Sequence, residues 1–181
     1  MMKSKMSTQT QNKVRVLSID PGYGRMGVAV LQKEGGKEIL LYSTCLEASP
    51  SLDHSKRLTY MGENLRKLFS EWKPDECALE TLFFSKNSKT AMQVAESRGV
   101  VLYEAGRHKI PVYEYAPNAV KIAVTGYGRS GKKGVMSMIE KILTVGKKIE
   151  QDDEYDAIAV GLAHLSSRKS QIQTLINIRR R

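Results

Sequence analysis

The feature that most restricts the fold is the segment VRVLSIDPGYGRMGVAVLQ, Val14 to Gln32. One apolar, strand-like run ends there on an acid, and Gly22, Gly24 and Gly27 lead directly into a second run. The glycines spell G-x-G-x-x-G, the turn that cradles a pyrophosphate in dinucleotide-binding folds. That use requires a helix to begin at the glycines, because the phosphates rest on its free N–H groups. Here Val28, Ala29, Val30 and Leu31 continue as a strand, so no helix end is offered to a nucleotide. A third run, Glu38 to Cys45, follows the short turn EGGK and predicts an antiparallel hairpin.

After the hairpin the apolar spacing changes from two to three and four. Leu58, Met61, Leu65, Leu68, Phe69 and Trp72 mark a long helix ended by Lys73 and Pro74. CALE, Cys77 to Glu80, reads as a short buried strand, a helix is expected from about Ser88 to His108, and PVYEY gives a further strand. APNAVKIAVT looks helical, and two more helical patterns occupy roughly Lys132 to Leu143 and Asp153 to Ser166. The order β-β-β-α-β-α-β-α-α argues for an α/β protein with a mixed sheet flanked by helices, not a doubly wound parallel one.

A chain of 181 residues suits one domain with a full core. We expect a disordered lead-in over 1–13, the domain over 14–168 and a basic tail over 169–181. No apolar run approaches the ~20 residues that span a bilayer. The lead-in also lacks the apolar centre of a secretory signal, so the expected location is cytoplasmic, without a membrane partner. Cys45 and Cys77 lack CxxC spacing and are expected as buried free thiols.

Lys and Arg number 29 against 19 Asp and Glu, a formal charge of +10, which favours a polyanionic partner. GYGRSGK, Gly126 to Lys132, is like a phosphate-binding loop of nucleotide hydrolases. However, Lys133 follows where a Ser or Thr hydroxyl is needed for magnesium. What remains is a glycine-rich loop with Arg129, Lys132 and Lys133 at the start of a helix, suited to phosphate backbones.

Asp20 closes an apolar strand, where a charge is costly unless compensated, and Glu80 repeats the situation at the end of CALE. Asp153 and Asp156 are three apart near the start of a helix and share a face, while Asp152 and Glu154 suit its cap. Taken singly, these acids have plain roles as turn acceptor, edge charge and caps. Together, all-oxygen donors without His or Cys point to magnesium or manganese. Two such ions roughly 3.5 to 4 Å apart clamp an in-line phosphoryl displacement.

These stretches bring the chain close to a known family. SIDPG with Gly27, ALETLFFSKNSKTAMQVAESRGV, PVYEYAPNAVK, TGYGRSGKKGV and DEYDAIAVGLAH occur in the order found in the RuvC Holliday-junction resolvases of bacteria, which the chain resembles from about Val14 to Ser166. The resemblance implies an RNase H-like fold with a five-stranded sheet in the order 3-2-1-4-5, strand 2 antiparallel. It also implies a homodimer, symmetric magnesium-dependent nicking of four-way DNA junctions in recombination and repair, with Mn2+ able to substitute, and branch-migration partners of the RuvA and RuvB type. It carries the catalytic, metal-holding acids onto Asp20, Glu80, Asp153 and Asp156, the D-x-x-D spacing selecting Asp153 over Asp152.

Within that frame Phe83 and Phe84 are candidate wedges between unstacked bases, with core packing the plain alternative. Lys86, Arg129, Lys132 and Lys133 are the cations placed on phosphates. His164 is expected as a packed residue. The chain departs from the family at Met26, where a Thr is usual, and at Val28, where an aromatic is usual. Two other functions stay open on the residues alone: an RNase H-like nuclease acting on RNA or hybrid duplex, and a junction-binding protein without catalysis.

Overall fold

The computed structural model describes residues 13–81, 88–146 and 148–179, with the backbone alone for 88, 89 and 169–179. Five strands, β1 (Val14–Asp20), β2 (Arg25–Glu34), β3 (Lys37–Glu47), β4 (Glu76–Glu80) and β5 (Val112–Tyr115), form one sheet in the order β3-β2-β1-β4-β5. β2 is antiparallel to both of its neighbours, and β4 runs parallel to β1 and to β5. This is the expected mixed sheet. β1 lies at its centre, covered on both faces, which is why VRVLSI reads as a nearly continuous apolar run.

Five helices complete the chain: α1 (His54–Trp72), α2 (Ser88–Arg107), α3 (Pro117–Thr125), α4 (Lys132–Ile142) and α5 (Asp152–Arg179). α1 starts where Asp53 accepts a hydrogen bond from the Lys56 amide at 2.9 Å and stops where Lys73 turns left-handed ahead of Pro74. α1 and α2 cover one face of the sheet, packing Met61, Leu65, Phe69, Val101 and Ala105 on Leu17, Ile19, Val28 and Leu79. α5 covers the other face, and α3 and α4 cover α5 through Val120, Val124, Val135 and Ile139. From Glu154 to Leu165 α5 is buried almost all round, and DEYDAIAVGLAHL is accordingly apolar on nearly every side.

Three details differ from the sequence-based expectation. The helix suggested by APNAVKIAVT adds an element to the expected order, because Pro117 sets its first turn and Gly126, at φ 76°, ends it. α5 continues as backbone helix to Arg179, past the boundary expected near Ser166. Cys77 is a buried free thiol, but Cys45 is only half-buried, since it lies on the edge strand β3.

Candidate active site

Strand periodicity places the first two acids. Side chains alternate between faces, so Val14, Val16, Ser18 and Asp20 of β1 point to the α5 side, and so do Glu76, Ala78 and Glu80 of β4. β1 and β4 run parallel with Ile19 opposite Leu79, so Asp20 and Glu80 come next on adjacent strands, on one face and at one end. Their carboxyl groups share a hydrogen bond.

α5 brings the other two. Its N-terminal turn rests on β2 at Gly27, where a β-carbon would come 1.7 Å from the Asp153 carbonyl oxygen. Two turns on, a β-carbon at Gly161 would meet Leu31 Cδ1 at 2.4 Å and Ser18 Oγ at 2.7 Å. Gly27, the last glycine of the G-x-G-x-x-G spelling, is therefore a seat for a helix. With α5 this close to the sheet, Asp153 and Asp156 both act electrostatically on Asp20, whereas Asp152 faces outward and pairs with Lys132 at 3.1 Å.

The electrostatics are those of crowded acids. Burial, the neighbouring Glu80 charge and the shared hydrogen bond raise the Asp20 carboxyl well above its ordinary range. Burial and Asp156 push Glu80 upward, opposed by its hydrogen bond to Asp20 and by Lys121. Burial also raises Asp156, with Lys132 opposing and Asp153 assisting. Burial and the Asp153 charge push the nearby Cys45 thiol up to about 11, so it stays protonated and inert.

Glu80 and Asp156 line a cleft of about 210 Å³ with Lys121, Lys132, Pro117, Val120, Val135 and Ala159. A larger cavity of about 660 Å³ lies under the α4–α5 connection, beside Leu143, Ile149 and Tyr155, and none of the four acids lines it. Lys121 was not among the sequence candidates. Its only signal was its place one turn after Pro117, which the sequence could not connect to Glu80. Arg25 was missed too: its Nε lies 3.1 Å from Asp153 Oδ2 and its Nη1 donates to Gln151 Oε1 at 2.8 Å. Arg129 and Lys133 are exposed on the loop and first turn ahead of the cleft. Phe83, Phe84 and Lys86 lie outside the described residues.

A second acid sits on the same face at the far end of β4. His164, fully buried, places Nε2 2.6 Å from Glu76 Oε2 and Nδ1 2.7 Å from the Tyr115 hydroxyl, while Arg168 Nε donates to both Glu76 oxygens at 3.0 and 3.1 Å. His164 is thus the packed residue expected, with a defined set of partners.

Among the described residues no three His, Cys, Asp or Glu side chains are already arranged around a metal position. Asp20 and Glu80 are bonded to each other, and Asp153 is turned to Arg25. The donors nevertheless fit a hard divalent cation: they are all carboxylate oxygens, the raised proton affinities of Asp20, Glu80 and Asp156 mark a shortage of positive charge, and Asp153 Oδ2 is buried without accepting a hydrogen bond.

Comparison with known proteins bears directly on this geometry. The family model described as crossover junction endodeoxyribonuclease RuvC matches residues 16–164, a span that takes in all four acids. The chain belongs to the RuvC family. The RuvC of Petrotoga mobilis is 43% identical over 155 residues, covering 86% of this chain and 95% of that one. The RuvC of Thermotoga petrophila is 39% identical over 160 residues, covering 88% and 97%. Among solved structures, Thermus thermophilus RuvC in complex with a Holliday junction substrate superposes with a TM-score of 0.81 at 28% identity, covering 87% of this chain and 96% of that one. RuvC membership accounts for the RNase H-like sheet and identifies the chain with crossover junction endodeoxyribonucleases.

Proposed function

We propose that this protein resolves four-way DNA junctions as a structure-selective endonuclease, cutting two equivalent strands by metal-dependent hydrolysis. The observation that carries the proposal is the convergence of acids from β1, β4 and α5 at one end of the sheet, with Lys121 and Lys132 on the rim of the same cleft. Basic groups suited to a polyanion and acids suited to a cation meet there in a protein of formal charge +10.

Asp20, Glu80, Asp153 and Asp156 would hold two Mg2+ ions, or Mn2+ in their place. Bound there, the metal pair supplies water activation and charge neutralisation for in-line displacement at phosphorus. Lys121 and Lys132 draw the scissile phosphate into the cleft and offset the charge of its oxygens. Arg129 and Lys133, together with Lys86, hold neighbouring phosphates and keep the strand in register. Phe83 and Phe84 act as the wedge at the crossover.

A four-way junction has two equivalent strands to cut, which calls for two sites related by a two-fold axis. α2 offers a face for such a homodimer: Met92, Ala95, Gly99, Tyr103 and Gly106 form an exposed stripe at helical spacing, with Met92 at 69% and Tyr103 at 62% exposure. The family's branch-migration partners, of the RuvA and RuvB type, are the remaining macromolecules in this scheme.

The test is incubation with a synthetic mobile four-way junction, a linear duplex and an RNA of the same sequence, each with Mg2+ or EDTA. Paired symmetric nicks on the junction alone, lost in EDTA, are expected. Junction binding without metal-dependent cuts would point to a module without catalysis, and RNA cleavage would defeat the proposal.

A further inference from the structure

Arg25 is the one residue at the acid cluster whose place the metal chemistry leaves unexplained. It stands at the start of β2, two residues before the glycine on which α5 rests, and its guanidinium reaches across to the first turn of that helix. Nη1 is anchored to Gln151 Oε1 at 2.8 Å, and Nε lies 3.1 Å from Asp153 Oδ2. The second contact is electrostatic rather than a formed hydrogen bond, because Oδ2 is buried and accepts none. The lone pairs of Asp153 Oδ2 therefore face a positive charge without being committed to a hydrogen bond. Asp153 also differs from its companions: Asp20 and Glu80 are bonded to each other and Asp156 faces Lys132 across the cleft, so among the described residues Asp153 is the one acid of the four with a guanidinium within ion-pair distance.

We propose that Arg25 is an internal cation of the metal-free protein, one that neutralises Asp153 and is displaced from it when a divalent ion binds. The inference rests on Asp153 being a metal ligand, as proposed above. A guanidinium and a divalent cation drawn to the same carboxylate oxygen repel each other, so each weakens the other's hold on it. The Gln151 contact lets Arg25 move off Asp153 without losing its hold on the segment. The side chain is 47% exposed and therefore has room to move toward solvent.

Arg25 is then a positioning residue with a definite energetic sign. If it only braced α5, removing it would loosen the helix and weaken metal binding. If it competes with the metal, removing it tightens metal binding, because the metal no longer has to displace a resident charge. A partly exposed pair of this kind corresponds to a factor of roughly two to five in affinity.

The experiment uses the full chain and Mn2+ as probe, with free ion followed by electron paramagnetic resonance and thermal stability measured with and without Mn2+. Arg25→Ala should bind Mn2+ roughly twofold to fivefold more tightly than the parent, and the Tm gain on adding Mn2+ should widen. Arg25→Lys should fall between the two, and Arg25→Met, which keeps the packed stem, should repeat the alanine result if the shorter variant folds poorly. Added salt should narrow the difference between parent and Arg25→Ala by screening the pair. An affinity unchanged or weakened in both Arg25→Ala and Arg25→Met, beside an Asp153→Asn variant that binds weakly, would overturn the displacement and leave Asp153 as a ligand. Undiminished Mn2+ binding by Asp153→Asn would remove the ligand assignment and the role of Arg25 with it.

Discussion

β4 carries two glutamates on one face, four residues apart, and α5 passes over both, yet the two ends of this strand are built in opposite ways. At its start, Glu76 is matched by His164 and Arg168 with three short contacts, and a tyrosine hydroxyl completes the histidine. At its end, Glu80 meets Asp20 and Asp156, with Lys121 of the same cleft as a counter-charge. Burial alone raises the Glu76 carboxyl, but hydrogen bonds from His164 and Arg168 more than offset it and hold it below the ordinary 4.5. Burial at the other end is reinforced by like charge, and Asp20 is pushed well up. One end supplies its own guanidinium and imidazole partners and clamps the helix to the sheet. The other leaves acids undercompensated within the fold, as the proposed metal site requires.

The contrast is best tested by neutralising one acid at each end. Asp20→Asn should lower junction nicking roughly a thousandfold or more while leaving junction binding intact and raising the Tm of the metal-free protein, because a repulsive contact becomes neutral. Loss of binding by the folded variant would contradict the assigned role. Gly27→Ala tests the seat that holds the crowded end together. A displacement of about 1 Å at Asp153 should cost roughly a hundredfold in nicking rate, with the deficit in turnover and not in junction affinity.

Glu76→Gln should do the reverse of Asp20→Asn. It leaves buried His164 and half-buried Arg168 without their carboxylate partner, which should cost about 3 kcal/mol in denaturant unfolding while nicking per folded molecule stays near the parent value. The pH dependence of that gap follows from the depressed carboxyl. Ionised Glu76 contributes stability above its unfolded value near 4.5 and loses it as the pH falls through the lower folded value. The difference between parent and Glu76→Gln should therefore be full at neutral pH and shrink below about 4. The smallest expected effect is outside both ends: the pair Arg129→Ala and Lys133→Ala should weaken junction binding severalfold and flatten its salt dependence by about two in log–log slope, since each removes one phosphate contact.

Much of this was legible before any coordinates. A strand has a period of two, so an acid closing VRVLSID and another closing CALE were bound to emerge with defined faces, and the hairpin after Gly27 excluded a pyrophosphate turn. The third acid was legible from the residues only to within one position. Asp152 and Asp153 differ by about 100° around a helix axis, and the side that meets the sheet depends on how the helix docks. Docking on Gly27 turns Asp153 inward and gives Asp152 to Lys132. Lys121, Arg25 and the partners of His164 were not legible at all: His164 and Glu76 are 88 residues apart, and no local pattern joins them.

What the sequence determined by itself is the set of faces and ends. Alternation along β1 and β4, the glycine at 27, the spacing of Asp153 and Asp156 and the excess of positive charge are covalent facts that any fold of this chain must carry. What only the tertiary structure decided is which charges are answered. The distance between α5 and the sheet is set by the absence of side chains at Gly27 and Gly161. That distance determines that Glu76 receives His164 and Arg168, whereas Asp20 and Glu80 receive more acid. Electrostatic interactions fall with separation and are strengthened by burial, so a carboxylate written identically twice in one strand becomes a clamp at one end and the proposed seat of catalysis at the other.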